Sequence, residues 1–318
     1  MPVYNTALYL KEAIESILNQ TYDDFEFIII DDASTDGSKE IIKSYSDERI
    51  IVFENEVNKG YVFGLNYAIS IARGEYIARM DSDDIAHLDR FKKQIDYFER
   101  KTEIDLIGTW YKVINSEKVI KLPERHDSLF ELFLNKNGIA HPTVMFKRSF
   151  FIENNFYYDV NMMPAEDYEL WVRFIKIGKL ANIPEVLLYY REHTNQISHT
   201  KRKEQNFKAE IVRWSFVNYY LNKLDCRLYA KIQDNKVSID DKLNVLNSHA
   251  SIYNKSDNVI DNIILNEYRK IQFELFLDKE NQNINSLIKI YKSYRVLFFK
   301  NDFKLTLKYI LKSVLNFV

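Results

Sequence analysis

An α/β fold built on a doubly wound, mostly parallel sheet, followed by an all-helical C-terminal region, is the architecture that these 318 residues predict. Three observations predict it. The first 113 residues alternate short apolar runs with segments of helical spacing, the pattern of a parallel sheet flanked by helices. The apolar runs stop at polar or acidic residues, and in such sheets ligands bind beyond the carboxyl ends of the strands. All seven glycines lie at or before Gly178 and all five prolines at or before Pro184, so the last 134 residues have neither. Turns there must rely on Asn and Asp, and the composition favours helix.

Each element follows in order. The chain opens Met1-Pro2-Val3-Tyr4-Asn5, with only Val3 left to bury. A central strand runs about five or six residues, so this first strand reads as truncated, and residues preceding Met1 are expected to complete it. Leu8 to Asn19, Gly37 to Tyr45 and Tyr61 to Ala72 carry Leu, Ile and Ala at helical spacing. Phe25 to Asp31, Arg49 to Glu54 and Glu75 to Met80 read as strands between them, and a helix is expected to begin near Ala86. Further strands are expected from Ile104 to Ile120, and Gly138 to Phe146 reads as a loop entering a strand. Glu166 to Ile177 is a helix with Leu170, Trp171, Phe174 and Ile175 on one face. Val186 to Arg191 is a last strand, leading into His193-Thr194-Asn195-Gln196. The expected domains are 1–200 and a helical region, 201–318.

Composition narrows the class. One cysteine, Cys226, excludes an intrachain disulfide and fits a reducing compartment. Residues 1–20 lack a basic start followed by an apolar core, so no secretory signal is expected. No run of about 18 apolar residues predicts a membrane span. Residues 1–200 hold 23 Lys and Arg against 33 Asp and Glu, whereas 201–318 hold 21 against 13. An acidic front and a basic back suggest different partners, and nothing points to nucleic acid.

The densest chemistry lies in Asp81-Ser82-Asp83-Asp84. Three carboxylates within four residues at a strand end repel one another unless a cation holds them. A hard divalent ion such as Mn2+ or Mg2+ prefers oxygen ligands and often shares them with a phosphate. The competing reading is that these acids cap the next helix, a reading strongest for Asp84. A second acidic pair, Glu166-Asp167, opens an amphipathic helix, where acids also stabilise a first turn by themselves. The glycines at 60 and 64 form neither a dinucleotide nor a phosphate-loop fingerprint.

Pro2-Val3-Tyr4-Asn5, Asp31-Asp32-Ala33-Ser34-Thr35-Asp36-Gly37-Ser38, Asn58-Lys59-Gly60, Asp81-Ser82-Asp83-Asp84, Glu166-Asp167 and Tyr190-Arg191-Glu192-His193-Thr194-Asn195-Gln196 occur in this order. Residues 1–200 thereby resemble the family-2 inverting glycosyltransferases of the GT-A fold, in the branch that builds bacterial surface polysaccharides such as capsule and lipopolysaccharide. The resemblance implies a hexosyltransferase-type inverting enzyme with a nucleotide-sugar donor, most simply a UDP-sugar. It places Val3, Tyr4, Asn5, Asp32, Gly60, Asp81 and Ser82 at the nucleotide, with Asp32 on the base. It assigns the metal to Asp81, Asp83 and His193. It makes Asp167 the catalytic base, with Glu166 and His141 on the acceptor side. Helix capping remains the better reading for Ser34 and Asp36, and ordinary loop structure competes for both histidines.

The implied acceptor is a saccharide or a lipid-linked saccharide, and the implied location is cytoplasmic. Lys300, Lys304, Lys308 and Lys312 form a stripe opposite Phe303, Leu307, Ile310, Leu311, Val314 and Phe317. Two readings stand: an interfacial helix peripheral to the inner leaflet, or an ordinary bundle helix with a solvated face. The rival functions are a catalytically inactive sugar-nucleotide-binding subunit and a sugar-phosphate nucleotidylyltransferase. The second lacks the Gly-rich, basic N-terminal signature that its chemistry calls for.

Overall fold

The computed structural model describes residues 1–194, 196 and 200–223. The lysine stripe and the rest of the expected helical region beyond residue 223 lie outside them. A first compact unit spans Met1–Phe216.

The unit is an α/β structure with two sheets. In the first, β1 (Pro2–Val3), β2 (Phe27–Asp31) and β3 (Ile50–Glu54) are parallel in that order. They are joined by α1 (Ala7–Leu18) and α2 (Ser38–Lys43), and α3 (Tyr61–Ile71) leads away from β3. Leu10, Ala13, Ile14 and Ile17 of α1 sit at i, i+3, i+4 and i+7 and are all buried. Each large aliphatic side chain buried this way stabilises the fold by about 1.5–3 kcal/mol.

The second sheet is mixed. Its path runs β4 (Tyr76–Ala78), β8 (Met145–Lys147), β6 (Leu106–Val113), β9 (Leu180–Tyr190), β5 (Ile85–Ala86), with β7 (Val119–Ile120) hanging from β6. Only β6 and β9 are parallel in it. Around it lie α4 (Arg90–Arg100), α5 (His126–Phe133), α6 (Arg148–Glu153) and α7 (Glu166–Ile175), and α8 (Arg202–Lys223) follows. The strand–helix alternation therefore describes the first sheet well, while β4, expected to continue it, pairs antiparallel with β8 instead. A cavity of about 800 Å3 lies between the two, lined by Met1, Phe27 and Ile28 on one side and Tyr76, Ile77 and Ala78 on the other.

Two boundaries differ from expectation for clear reasons. The helix expected near Ala86 starts at Arg90, because Ile85 and Ala86 pair with Tyr189 and Leu188 of β9. Asp84 therefore caps nothing. The last strand begins at Leu180 rather than Val186: Pro184, which has no N–H to give, sits at a register shift where Thr109 pairs Ile183 but Trp110 pairs Val186. Among the described residues no helix is long and apolar enough to cross a membrane.

Candidate active site

The polar strand ends expected to bind ligands come together in three groups. The first is the acid rim after β4. Asp81, Asp83 and Asp84 offer carboxylate oxygens that all lie within 4.8 Å of one another. Asp84 is fully buried; its Oδ1 accepts the Arg191 amide at 2.9 Å, and its Oδ2 is buried with no hydrogen-bond partner. Burial pushes the carboxyls of both Asp81 and Asp84 above their usual range. Asp81 is drawn back by Arg79, whose Nη1 donates to its Oδ2, while Asp81 and Asp83 drive Asp84 further up. Crowded, protonation-prone oxygens with an orphaned lone pair fit a hard divalent cation, which Asp81, Asp83 and Asp84 would hold.

The segment after β9 closes over this rim. Arg191 donates from Nε to the Asp83 carbonyl at 2.8 Å, reaches Glu12 of α1, and lies over the Tyr9 ring at 4.7 Å. His193 Nε2 is 2.9 Å from Asp83 Oδ2, and its ring centroid is 4.9 Å from that of Tyr9. Gln196 donates to the same Asp83 oxygen at 3.4 Å and to the Arg191 carbonyl. His193 thus stands beside the acids, bonded to Asp83.

The second group is the start of α7. Asp167 is half-buried; its Oδ2 accepts Asn137 Nδ2 at 2.9 Å and its Oδ1 the Tyr168 amide at 2.7 Å. Glu166 is buried, with Oε2 unpartnered and the Tyr61 phenol of α3 beside its carboxyl. Burial pushes Asp167 up to about 6 and Glu166, which also feels Asp167, up to about 7. At a helix start these acids would ordinarily titrate low; here desolvation wins. His141 sits in a 3-10 turn, its Nε2 2.9 Å from the Tyr158 hydroxyl and its ring edge-on to Trp171. Burial holds it neutral.

The third group flanks β1 and β2. Asp32 is buried and grips the loop before α3: its carboxylate accepts the Asn55 side-chain amide and the backbone amides of Lys59 and Gly60, each at 2.8 Å. Gly60 sits at φ +87, a left-handed conformation that a side chain would strain. Val3 faces the core and Ser82 is buried, while Tyr4 is half-exposed. Asn5, at φ +53, gives its amide to Ser34 and accepts Thr35 N, so the Tyr4–Asn5 and Ala33–Asp36 loops are knit together. Asp36 accepts the Ser38 amide at the start of α2 and the Ala7 amide at the start of α1.

The acid rim and the α7 pair share neighbours. The Arg79 charge acts on Asp81, Asp84, Glu166 and Asp167, and the Tyr158 phenol feels Asp81, Glu166 and Asp167. Sequence reasoning assigned no role to Arg79, Asn137, Tyr61 or Gln196. A cation two residues before the acid triplet was the one available signal; Asn137 is recruited by tertiary contact and had none.

The two-sheet α/β scaffold, with acids gathered at its strand ends and a second carboxylate pair at the start of α7, agrees with the GT-A fold that the sequence resembles. Solved structures share the fold: Staphylococcus aureus TarS 1-349 in complex with UDP-GlcNAc superposes with a TM-score of 0.56 at 20% identity, covering 92% of this chain and 79% of that one. The mannosyltransferase PcManGT of Pyrobaculum calidifontis, in complex with GDP-Man and Mn2+, gives 0.53 at 14% identity over 99% of this chain and 84% of its own. The glycosyl transferase family 2 model matches residues 1–163. An uncharacterized glycosyltransferase of Haemophilus influenzae is 31% identical over 98% of this chain and 94% of its own length. The Escherichia coli UDP-Glc:alpha-D-GlcNAc-diphosphoundecaprenol beta-1,3-glucosyltransferase WfaP is 34% identical over 66% of this chain and 82% of its own. The chain belongs to glycosyltransferase family 2.

Proposed function

We propose that this glycosyltransferase moves a sugar from a nucleoside-diphosphate donor, with a UDP-sugar as the first candidate, to a hydroxyl of a saccharide or lipid-linked saccharide. It does so with inversion, aided by a divalent ion, in the assembly of a bacterial surface polysaccharide on the cytoplasmic face of the membrane. The observation that carries this reading is the acid rim, with carboxylate oxygens of Asp81, Asp83 and Asp84 within 4.8 Å of one another, beside a Glu166–Asp167 pair that feels the same Arg79 charge.

A single displacement at the anomeric carbon needs a carboxylate on the acceptor side to take the hydroxyl proton. Asp167 meets that need: a carboxyl raised to about 6 is ionised near neutrality yet more basic than a free one. Asn137 orients it by donating to Oδ2, which leaves Oδ1 to share between the Tyr168 amide and an incoming hydroxyl. Asp83, held by His193 and Gln196, and Asp81 supply oxygens for the ion. The ion, Mn2+ or Mg2+, would offset the charge that builds on the departing diphosphate. Asp32 fixes the loop carrying Gly60, and through it the start of α3, from which Tyr61 meets Glu166. The exposed Tyr4 and the knit Asn5 loop offer a nucleotide platform beside it.

The experiment is a panel of nucleotide sugars with Mn2+, scored by nucleoside diphosphate release and by the anomeric configuration of the product. Inverted product from one donor class supports the reading. Retained configuration rejects inversion, and no release from any donor with any saccharide acceptor rejects transfer.

A further inference from the structure

Two buried arginines stand behind the acid rim, and they differ. Arg90 is fully buried and spends its guanidinium on neutral acceptors: the Arg79 carbonyl at 2.7 Å, the Val144 carbonyl at 3.2 Å and Gln94 Oε1 at 3.1 Å. That is a strut, fixing the backbone that leaves β4. Arg79 is 8% exposed, and its own main chain is pinned at both ends, its amide to Val144 O at 3.0 Å and its carbonyl by Arg90. Its Nη1 donates to Asp81, whereas its buried Nε has no hydrogen-bond partner. A guanidinium is expensive to bury, and an idle N–H adds to that cost unless a further acceptor arrives. The same charge also draws the Glu166 and Asp167 carboxyls down, so it acts on both acid groups.

Resting on the transferase reading above, we infer that Arg79 is the resident counter-ion of the site and a positioning residue for transfer. It holds Asp81 when no divalent ion is bound and gives Asp81 up when one arrives. Its donors then serve the oxygens of the sugar and diphosphate lying between Asp81 and Asp167. A purely structural arginine would not compete with a metal; this one must, because both cations call on the same carboxylate.

The test compares Arg79→Met and Arg79→Lys with the unaltered protein, using Mn2+ alone as the probe. Calorimetric titration should find Mn2+ bound about tenfold more tightly by Arg79→Met, since its competitor is gone, and near wild-type affinity in Arg79→Lys, which keeps the charge. In transfer assays kcat of Arg79→Met should fall by about a hundredfold, with partial rescue by lysine. Unchanged or weaker Mn2+ binding by a folded Arg79→Met overturns the counter-ion role, and full kcat overturns the positioning role. Tighter Mn2+ binding with no transfer by the unaltered protein from any donor leaves the counter-ion standing and removes the transferase reading. If Arg79→Met does not fold, the Nε–H resonance of Arg79 in the unaltered protein decides: saturating Mg2+ must shift it, and an unmoved resonance rejects the exchange.

Discussion

The two acidic groups of this molecule both hold carboxyls raised by burial, yet their hydrogen-bond partners differ. The carboxylates of Asp81 and Asp83 are met by charged or titratable side chains, Arg79 on Asp81 and His193, joined by Gln196, on Asp83, while Asp84 takes the Arg191 backbone amide. Glu166 and Asp167 are met chiefly by neutral groups: Tyr61, Asn137 and a backbone amide. In the reading proposed above, the rim gathers its oxygens for a cation. The α7 pair keeps its protons up to about pH 6 and 7, the range in which a base accepts one usefully. On the proposed roles, environment more than residue identity would divide the labour between metal holder and base.

The largest effect expected at the rim comes from Asp83→Ala. Transfer should drop by about a thousandfold or more, and Mn2+ affinity should fall with it in the same calorimetric titration. Wild-type Mn2+ affinity in that variant would break the contrast, since the rim would then not be the metal holder. Next comes Arg90→Met, which removes the strut behind the rim, takes the Arg90 donor from the Arg79 carbonyl and leaves the Val144 carbonyl with the Arg79 amide alone of its two donors. It should cost about 2–4 kcal/mol in urea unfolding and weaken Mn2+ binding, while leaving the pH profile of the surviving activity where it was. A moved profile would mean that the two groups are not separable.

Gly60→Ala should cost about 1 kcal/mol of stability, because φ +87 strains any side chain even though open space surrounds the position. A null effect in thermal melts would mean that the Asp32-anchored loop relaxes without penalty. The smallest and sharpest prediction concerns pH. As pH falls through about 6, Asp167 takes up a proton and kcat/KM should decline. Asn137→Ala removes a bond that favours the ionised form, so this acid limb should move upward by about half a unit to one unit. A limb that stays still, or moves down, would show that another group sets it.

Much of the fold was legible, because its first half is written in local patterns. The three helices of that half and strands β2 and β3 fall within two or three residues of where their apolar spacing put them. What was illegible is what depends on partners far away in sequence. Ile85 and Ala86 look like the threshold of a helix until β9 pairs with them, and Pro184 looks like the end of a strand that in fact bulges and continues. The acids of the site were conspicuous because dense like charge is costly and demands a reason. Their keepers were not: Asn137 reaches Asp167 across 30 residues and Gln196 reaches Asp83 across 113, and neither residue type stands out in a loop. Asp84, for which the capping reading was strongest, proves to be the most deeply buried acid of the rim.

The most direct measurement is on Asp167→Asn, read two ways on one preparation: calorimetric affinity for UDP with Mn2+, and turnover with the donor found by the sugar panel. Nucleotide–metal affinity should stay within about threefold of the unaltered protein, and turnover should fall by about a thousandfold or more. Turnover that survives, or affinity lost together with it, would contradict the separation of base from metal rim.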